Sequence, residues 1–319
     1  CAIGARPVDV LLEGLRQLGA DIDISEGYIY ASAPDGLKGA DIYLPKPAVT
    51  GTENLMMAAT LASGTTVIHN AAREPEVEDL ANMLNTMGAE ISGAGTDTIT
   101  IEGREKLYGV TYNVMSDRIE AGTYMLAAAM VGDGVRVTNT NPVHNEALLS
   151  ALDASGVQCD VDNENHTVYV HKNTAFKNIH VKTEPYPGFP TDLQAQMMAY
   201  LTLCHGQSSI TETVYENRFM HVLEMKRLNA NLTIEGDTVT IQGPSSLKGA
   251  QVMATDLRAS ASLILAGLVA QGQTVLNRVY HLDRGYDCLE EKLSGLGARV
   301  TRMDEKDLPQ PSEIKGAAS

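Results

Sequence analysis

The sequence predicts an α/β protein assembled from repeated βα units, and three observations carry that prediction. First, a helix-end signature recurs: Leu18-Gly19-Ala20, Met87-Gly88-Ala89, Ser155-Gly156-Val157, Leu228-Asn229-Ala230 and Leu296-Gly297-Ala298. Its Gly or Asn positions lie 69, 68, 73 and 68 residues apart. Gly and Asn are the residues that most readily end a helix in the left-handed conformation. Second, a β-prone run follows a glycine in successive intervals: Gly64-Thr-Thr-Val-Ile, Gly134-Val-Arg-Val-Thr, Gly206-Gln-Ser-Ser-Ile and Gly272-Gln-Thr-Val-Leu. Third, Leu37-Lys38-Gly39-Ala40 returns as Leu247-Lys248-Gly249-Ala250, 210 residues later.

The elements of one unit follow in order. After the first strand comes an amphipathic helix, with apolar faces Val77, Leu80, Leu84, Met87 in one unit and Leu289, Leu293, Leu296 in another; both match a 3.6-residue period. Two short strands with period-two alternation come next, as in Thr98–Glu102, His166–Val170 and Asp237–Ile241. A second helix leads into the next unit. The longer recurrence spans about three units, so the natural grouping is two related domains of three units each. On this count the chain holds four full units and the later part of another, with about one and a half units lying before Cys1. A sheet apolar on one face must be covered by helices, and three βα units could pack helices inside and sheets outside; periodicity alone does not establish that arrangement. A diverged solenoid is the alternative, but its repeats are shorter, about 20–45 residues.

Composition narrows the function. Hydrophobic residues make up 44% of the 319 residues, enough for two domains with cores of their own. A net charge of −16 argues against a nucleic-acid footprint, while leaving room for local arginines that bind a small anion. No apolar run approaches the ~18 residues of a membrane span, and no stretch reads as a secretory signal. Cys1, Cys159, Cys204 and Cys288 are widely spaced and form no CxxC pair. They suit reduced thiols, and hence a cytoplasmic protein, better than a disulfide framework or zinc site. The eight histidines form no HxxxH pattern, so no metal cofactor is expected.

Several residues have the chemistry of a site. Cys1 opens Cys-Ala-Ile-Gly-Ala-Arg-Pro-Val-Asp-Val. A glycine turn there leads to a helix starting near Pro7, with Arg6 beside it. Free N–H groups at a helix start favour an anion, and positive charge makes a nearby thiol more acidic. Asp192 lies in Phe189-Pro-Thr-Asp-Leu-Gln194, and Ser116-Asp117-Arg118 and Thr255-Asp256-Leu257-Arg258 repeat its pattern. Ser or Thr followed by Asp before a helix is ordinarily a cap; one copy could instead have been recruited as a base. Arg218, Arg258 and Arg284 each sit where a strand hands over to a helix, placed for bidentate contact with carboxylate or phosphate. Their ordinary role would be a salt bridge to a neighbouring acid, as with Asp283 beside Arg284. Lys46 would ordinarily be a solvated loop lysine.

These segments resemble the enolpyruvyl transferase family, specifically its UDP-N-acetylglucosamine branch. The resemblance runs from Cys1 to about residue 303. It is carried by Cys1–Asp9, Asn70-Ala-Ala-Arg-Glu-Pro-Glu76, Phe189–Gln196, Glu212-Thr-Val-Tyr-Glu-Asn-Arg-Phe-Met-His221, Gln251–Ser260 and Asp283-Arg-Gly-Tyr286. It implies an inside-out α/β barrel pair, two domains of threefold pseudo-symmetry, with the first unit and part of the second absent. Residues 1–114 would be the remainder of the cysteine-bearing domain, 115–303 the second domain and 304–319 a mobile tail. The implied reaction moves the enolpyruvyl group of phosphoenolpyruvate to the 3-hydroxyl of UDP-N-acetylglucosamine, without a cofactor, in the first committed step of peptidoglycan synthesis. Cys1 would protonate the enol carbon and be the thiol that fosfomycin alkylates. Asp192 would take the hydroxyl proton. Arg6, Pro7, Val8, Asp9 and Val10 match one segment that binds the sugar nucleotide, and Lys46, Pro47, Ala48 and Val49 match a second. Val214 would contribute a backbone contact. Arg284, with Asp256, Arg218 and Arg258, matches the region that stabilises phosphate and carboxylate charge. The family's Lys-Asn pair and a further Arg match no position here, so a missing N-terminal segment is expected and the isolated chain is expected to be inactive.

Two other readings compete. Cys1 could be the nucleophile of an N-terminal-cysteine amidohydrolase with its own amine as base, although tandem βα units fit that fold poorly. Alternatively, the chain could be a non-catalytic relative that binds a UDP-sugar without turnover.

Overall fold

The computed structural model of the protein describes residues 8–216, 218–304 and 306. They divide into two compact units, one of residues 8–115 with Pro185–Pro187 and one of residues 116–184 with residues from 188 onward.

The smaller unit opens with α1 (Asp9–Gln17) and an antiparallel hairpin of β1 (Asp21–Ser25) and β2 (Tyr28–Ser32). A complete repeat follows: β3 (Asp41–Tyr43), α2 (Val49–Ala59), β4 (Thr65–His69), α3 (Pro75–Thr86), β5 (Glu90–Ser92) and β6 (Thr98–Glu102). Its sheet has the order β3-β4-β6-β5. β3 and β4 are parallel across the α2 crossover, and β6 is antiparallel to both neighbours. Alternation along β6 buries Ile99 and Ile101 against Leu55, Met56, Ile68 and Val77.

The larger unit contains α4 (Arg118–Val131), β7 (Val135–Val137), α5 (Glu146–Ala154), β8 (Cys159–Asp162) and β9 (Thr167–Val170), with strand order β7-β9-β8. A second complete repeat comes next: β10 (His180–Lys182), α6 (Gln194–Leu201), β11 (Gly206–Thr211), α7 (Met220–Arg227), β12 (Leu232–Glu235) and β13 (Thr238–Gly243). Its order, β10-β11-β13-β12, reproduces the first. The unit closes with β14 (Gln251–Met253), α8 (Leu257–Val269), β15 (Val275–Asn277) and α9 (Leu289–Gly295), β14 and β15 being parallel. Helices α4, α6 and α8 pack on one another. All of α6 and most of α4 and α8 are buried, as expected of helices covered on every side. No helix among the described residues is long and apolar enough to cross a membrane.

The unit count differs from the expectation of four full units. In the expected order of strand, helix, two strands and helix, three units are complete among the described residues (β4-α3-β5-β6-α4, β7-α5-β8-β9-α6 and β11-α7-β12-β13-α8), and the fourth is described only through β15 and α9. Leu296 also departs from its expected face: it is 59% exposed, because the helix ends at Gly295. The helix-end markers behave as expected, with Gly19, Gly88, Gly156, Asn229 and Gly297 all at positive φ.

The 210-residue recurrence has a steric cause. A Cβ on Gly39 would lie 2.1 Å from the Thr65 carbonyl oxygen, and one on Gly249 2.3 Å from that of Gln273. Backbone meets backbone at both crossings, so only glycine fits. The expected tail at 304–319 lies outside the described residues apart from Asp304 and Lys306.

Candidate active site

The three aspartates at equivalent helix starts do different work. Asp117 Oδ1 accepts from the N–H groups of Ile119 and Glu120 at 2.7 and 3.1 Å, capping α4. Asp256 Oδ1 accepts from Arg258 N–H and Ala259 N–H at 2.9 and 3.0 Å, capping α8. Asp192 caps nothing. It sits in the 3-10 turn Thr191–Leu193 ahead of α6, and that helix has no side-chain cap. Its carboxylate lies between two arginines: Oδ1 accepts from Arg218 Nη1 at 2.8 Å and Oδ2 from Arg258 Nε at 3.1 Å.

The electrostatics follow from burial. The Arg218 and Arg258 side chains are 8% and 10% exposed, while that of Asp192 is 38% exposed. Burial pushes the Asp192 carboxyl up, but the charges and hydrogen bonds of Arg218 and Arg258 outweigh it and hold the group below the usual carboxylate range. Asp192 is therefore an ionised acceptor facing partly outward. Arg258 keeps a buried Nη1 with no hydrogen-bond partner, and its guanidinium lies 5.6 Å from the Tyr286 ring centroid. Tyr286 is itself held by a 2.8 Å contact between its hydroxyl and that of Thr123. Gln196 Nε2 donates to the Asp192 carbonyl at 3.0 Å and reaches Thr123 and Tyr286 at 3.1 and 3.3 Å. Three central helices are thus tied to one turn.

The sequence-predicted residues fall into three groups. Asp192, Arg218 and Arg258 meet directly, and Asp256 supports Arg258 through the α8 cap. Val214 N–H is taken by Glu212 Oε1 at 2.9 Å, so a backbone contact from Val214 to a ligand must use its carbonyl. Arg284 ends the exposed turn Val279–Arg284, and the neighbouring Asp283 pairs with Arg302. In the smaller unit, Val8 and Asp9 start α1, and Val10 packs toward the Gly51 face of α2. Lys46 and Pro47 are exposed in the loop before α2, Ala48 is its N-cap residue and Val49 its first residue. Cys1, Arg6 and Pro7 lie outside the described residues.

Sequence reasoning missed Glu212, Thr191, Gln196 and Tyr286 as supports of the site. Glu212 had a signal. Ser208 and Ile210 are buried on one face of β11, and Glu212 continues that parity into the interior.

Comparison with known proteins places the chain in a family. The EPSP synthase (3-phosphoshikimate 1-carboxyvinyltransferase) family matches residues 1–293. The chain is 54% identical over 306 residues to UDP-N-acetylglucosamine 1-carboxyvinyltransferase from Bartonella tribocorum and 54% identical over 303 residues to that from Coxiella burnetii. Each match covers 95% of this chain and 70% of the relative. Among solved structures, the enolpyruvyl transferase NikO from Streptomyces tendae aligns over 93% of this chain and 72% of its own, at 27% identity and a TM-score of 0.84. An EPSP synthase from Acinetobacter baumannii, at 20% identity, shares the fold over 93% of this chain and 72% of its own, with a TM-score of 0.70. The chain belongs to the UDP-N-acetylglucosamine 1-carboxyvinyltransferase family.

Proposed function

We propose that this protein transfers the enolpyruvyl group of phosphoenolpyruvate to the 3-hydroxyl of UDP-N-acetylglucosamine, releasing phosphate, in the first committed step of peptidoglycan synthesis in the cytoplasm. The observation that carries the reading is a carboxylate held ionised between two buried guanidiniums, Arg218 and Arg258. It occurs in a chain 54% identical to proteins of that name.

The chemistry has two halves. The sugar oxygen bonds to C2 of the enol phosphate while C3 gains a proton; the C2–O bond to phosphate then breaks and C3 loses a proton, restoring the double bond. The first half needs a base on the alcohol and an acid at C3, and the second needs cations to stabilise the departing phosphate. Asp192 takes the hydroxyl proton. A carboxylate gripped by two arginines is a weak base, so its strength must rise when the substrate anion draws their charge. Arg218 and Arg258, the two guanidiniums that grip it, are the charges the anion would draw. Arg218 and Arg284 add positive charge, and Cys1 delivers the proton to C3. Val214 offers its carbonyl to the sugar nucleotide, which Arg6–Val10 and Lys46–Val49 also hold. The domains are read as a pair of threefold inside-out assemblies, the second spanning 115–303.

Phosphate release by the full-length protein tests this, with product mass measured for UDP-N-acetylglucosamine and for 3-phosphoshikimate as the control acceptor. Product is expected from the sugar nucleotide alone. Asp192→Asn should lower kcat by about 10²–10⁴-fold while calorimetry still detects the sugar nucleotide. Wild-type turnover in Asp192→Asn would remove the base from the mechanism.

A further inference from the structure

Glu212 is 2% exposed, and a buried carboxylate is costly unless donors surround it. Four do. Oε1 accepts from the Thr183 hydroxyl at 2.8 Å, Val214 N–H at 2.9 Å and Tyr215 N–H at 3.0 Å. Oε2 accepts from the Thr191 hydroxyl at 2.8 Å. The direction of these bonds is fixed by chemistry. A guanidinium can only donate, so Thr191 Oγ1 accepts from Arg218 Nη1, at 2.9 Å, and must give its own hydrogen to Glu212. Thr183 Oγ1 accepts from Thr213 N–H at 3.0 Å and likewise donates onward. Both hydrogens of Arg218 Nη1 are thereby assigned, one to Asp192 and one to Thr191.

We infer that Glu212, acting through Thr191, is a positioning residue that fixes the Arg218 guanidinium against Asp192. The inference rests on the reaction proposed above. Glu212 touches neither Asp192 nor Arg218 itself; it fixes the polarity of the hydroxyl that does touch Arg218. When Arg218 shifts its second hydrogen from Asp192 toward a substrate anion, the Thr191 bond keeps the group in register. Glu212 also holds the Val214–Tyr215 turn by two N–H groups, a separate arm of the same carboxylate.

The two arms can be separated. In Glu212→Gln the amide oxygen can keep the three donors at the Oε1 position, and the amide NH₂ then faces Thr191, which already accepts from Arg218. Glu212→Gln should therefore behave like Thr191→Val, which deletes the hydroxyl and keeps the branched shape. In the full-length protein, each should lower kcat by about 10–100-fold, the scale of a small misplacement, with KM for the sugar nucleotide within about threefold of wild type. Thr191→Ser should restore kcat to within about threefold, and the double variant should lose no more than the worse single one, because both break one link. A purely structural role would raise KM along with the fall in kcat and would add in the double variant. Thr191→Val with wild-type kcat, Thr191→Ser as impaired as Thr191→Val, or additive losses would each overturn the inference while leaving the reaction intact. A wild type that makes no product would overturn the reaction and this inference together, whereas an unimpaired Asp192→Asn would remove the base and this inference while leaving the reaction standing.

Discussion

At the scale of single residues, two buried or half-buried titrating groups both lower stability as pH falls, in different windows. The depressed pKa of Asp192 means that its ion pairs contribute stability above the ordinary carboxylate range, and that this contribution is lost as pH falls through the lower folded value. Asp192→Asn should cost roughly 1–3 kcal/mol at neutral pH, between a surface pair and a fully buried one given its partial exposure. That cost should shrink in strongly acidic buffer, as denaturant titration would show. His221 acts in the same direction but at higher pH and through its neutral form. It is 2% exposed and its Nε2 has no hydrogen-bond partner. Burial pushes its imidazole down to about 4; Asp256 opposes this and Arg218 reinforces it. The unfolded chain takes up a proton near pH ~6.5 that the folded one refuses. Stability should therefore fall as pH drops from about 6.5 to about 4, by up to about 3 kcal/mol. His221→Phe should flatten that slope in the same titrations.

At the scale of elements, the helix starts decide how the site is held. Asp117→Ala and Asp256→Ala each remove a cap worth about 1 kcal/mol. Only the second cap bonds the backbone N–H of Arg258, so thermal melts should show similar losses while kcat falls further in Asp256→Ala. The α4 helix passes close to the Asp192 turn: a Cβ on Gly122 would lie 2.7 Å from Leu193 Cδ1 and 3.0 Å from Leu148 Cδ2. Gly122→Ala should cost about 1–3 kcal/mol by overpacking, partly relieved because both neighbours are side-chain ends. It should also lower kcat by displacing the residue after Asp192. Much of this layer was legible beforehand. Chain-local physics placed β4, β6, α3 and the left-handed helix ends, since glycine placement and alternation report directly on backbone and burial. The pairing of Asp192 with Arg218 and Arg258 was not legible, because it joins residues 26 and 66 positions apart, and the local Thr-Asp pattern pointed to a cap. Packing of α4, α6 and α8 was also hidden: a helix buried on every side carries no apolar stripe to read.

At the scale of the whole molecule, each compact unit has its own hydrophobic cluster, one around Leu55 and Ile99 and the other around Met197 and Leu263. Two separate cores imply unfolding in more than one step. Calorimetry should resolve two transitions, and Leu55→Ala, at a fully buried position, should lower one of them by about 2–5 kcal/mol while the other stays in place. The acidic surface and the arginine-lined interior also occupy different scales of the same chain. A net charge of −16 governs what approaches from afar, whereas a few desolvated guanidiniums govern what is held once inside.

The threefold use of one aspartate position has a consequence for how such a site can arise. A motif present in several copies need not abandon its original duty to acquire another: two aspartates still fasten their helices, and the third is at liberty to handle a proton. Redundancy of architecture is thus what permits specialisation of chemistry, and the copy that caps no helix is the place to look for the work.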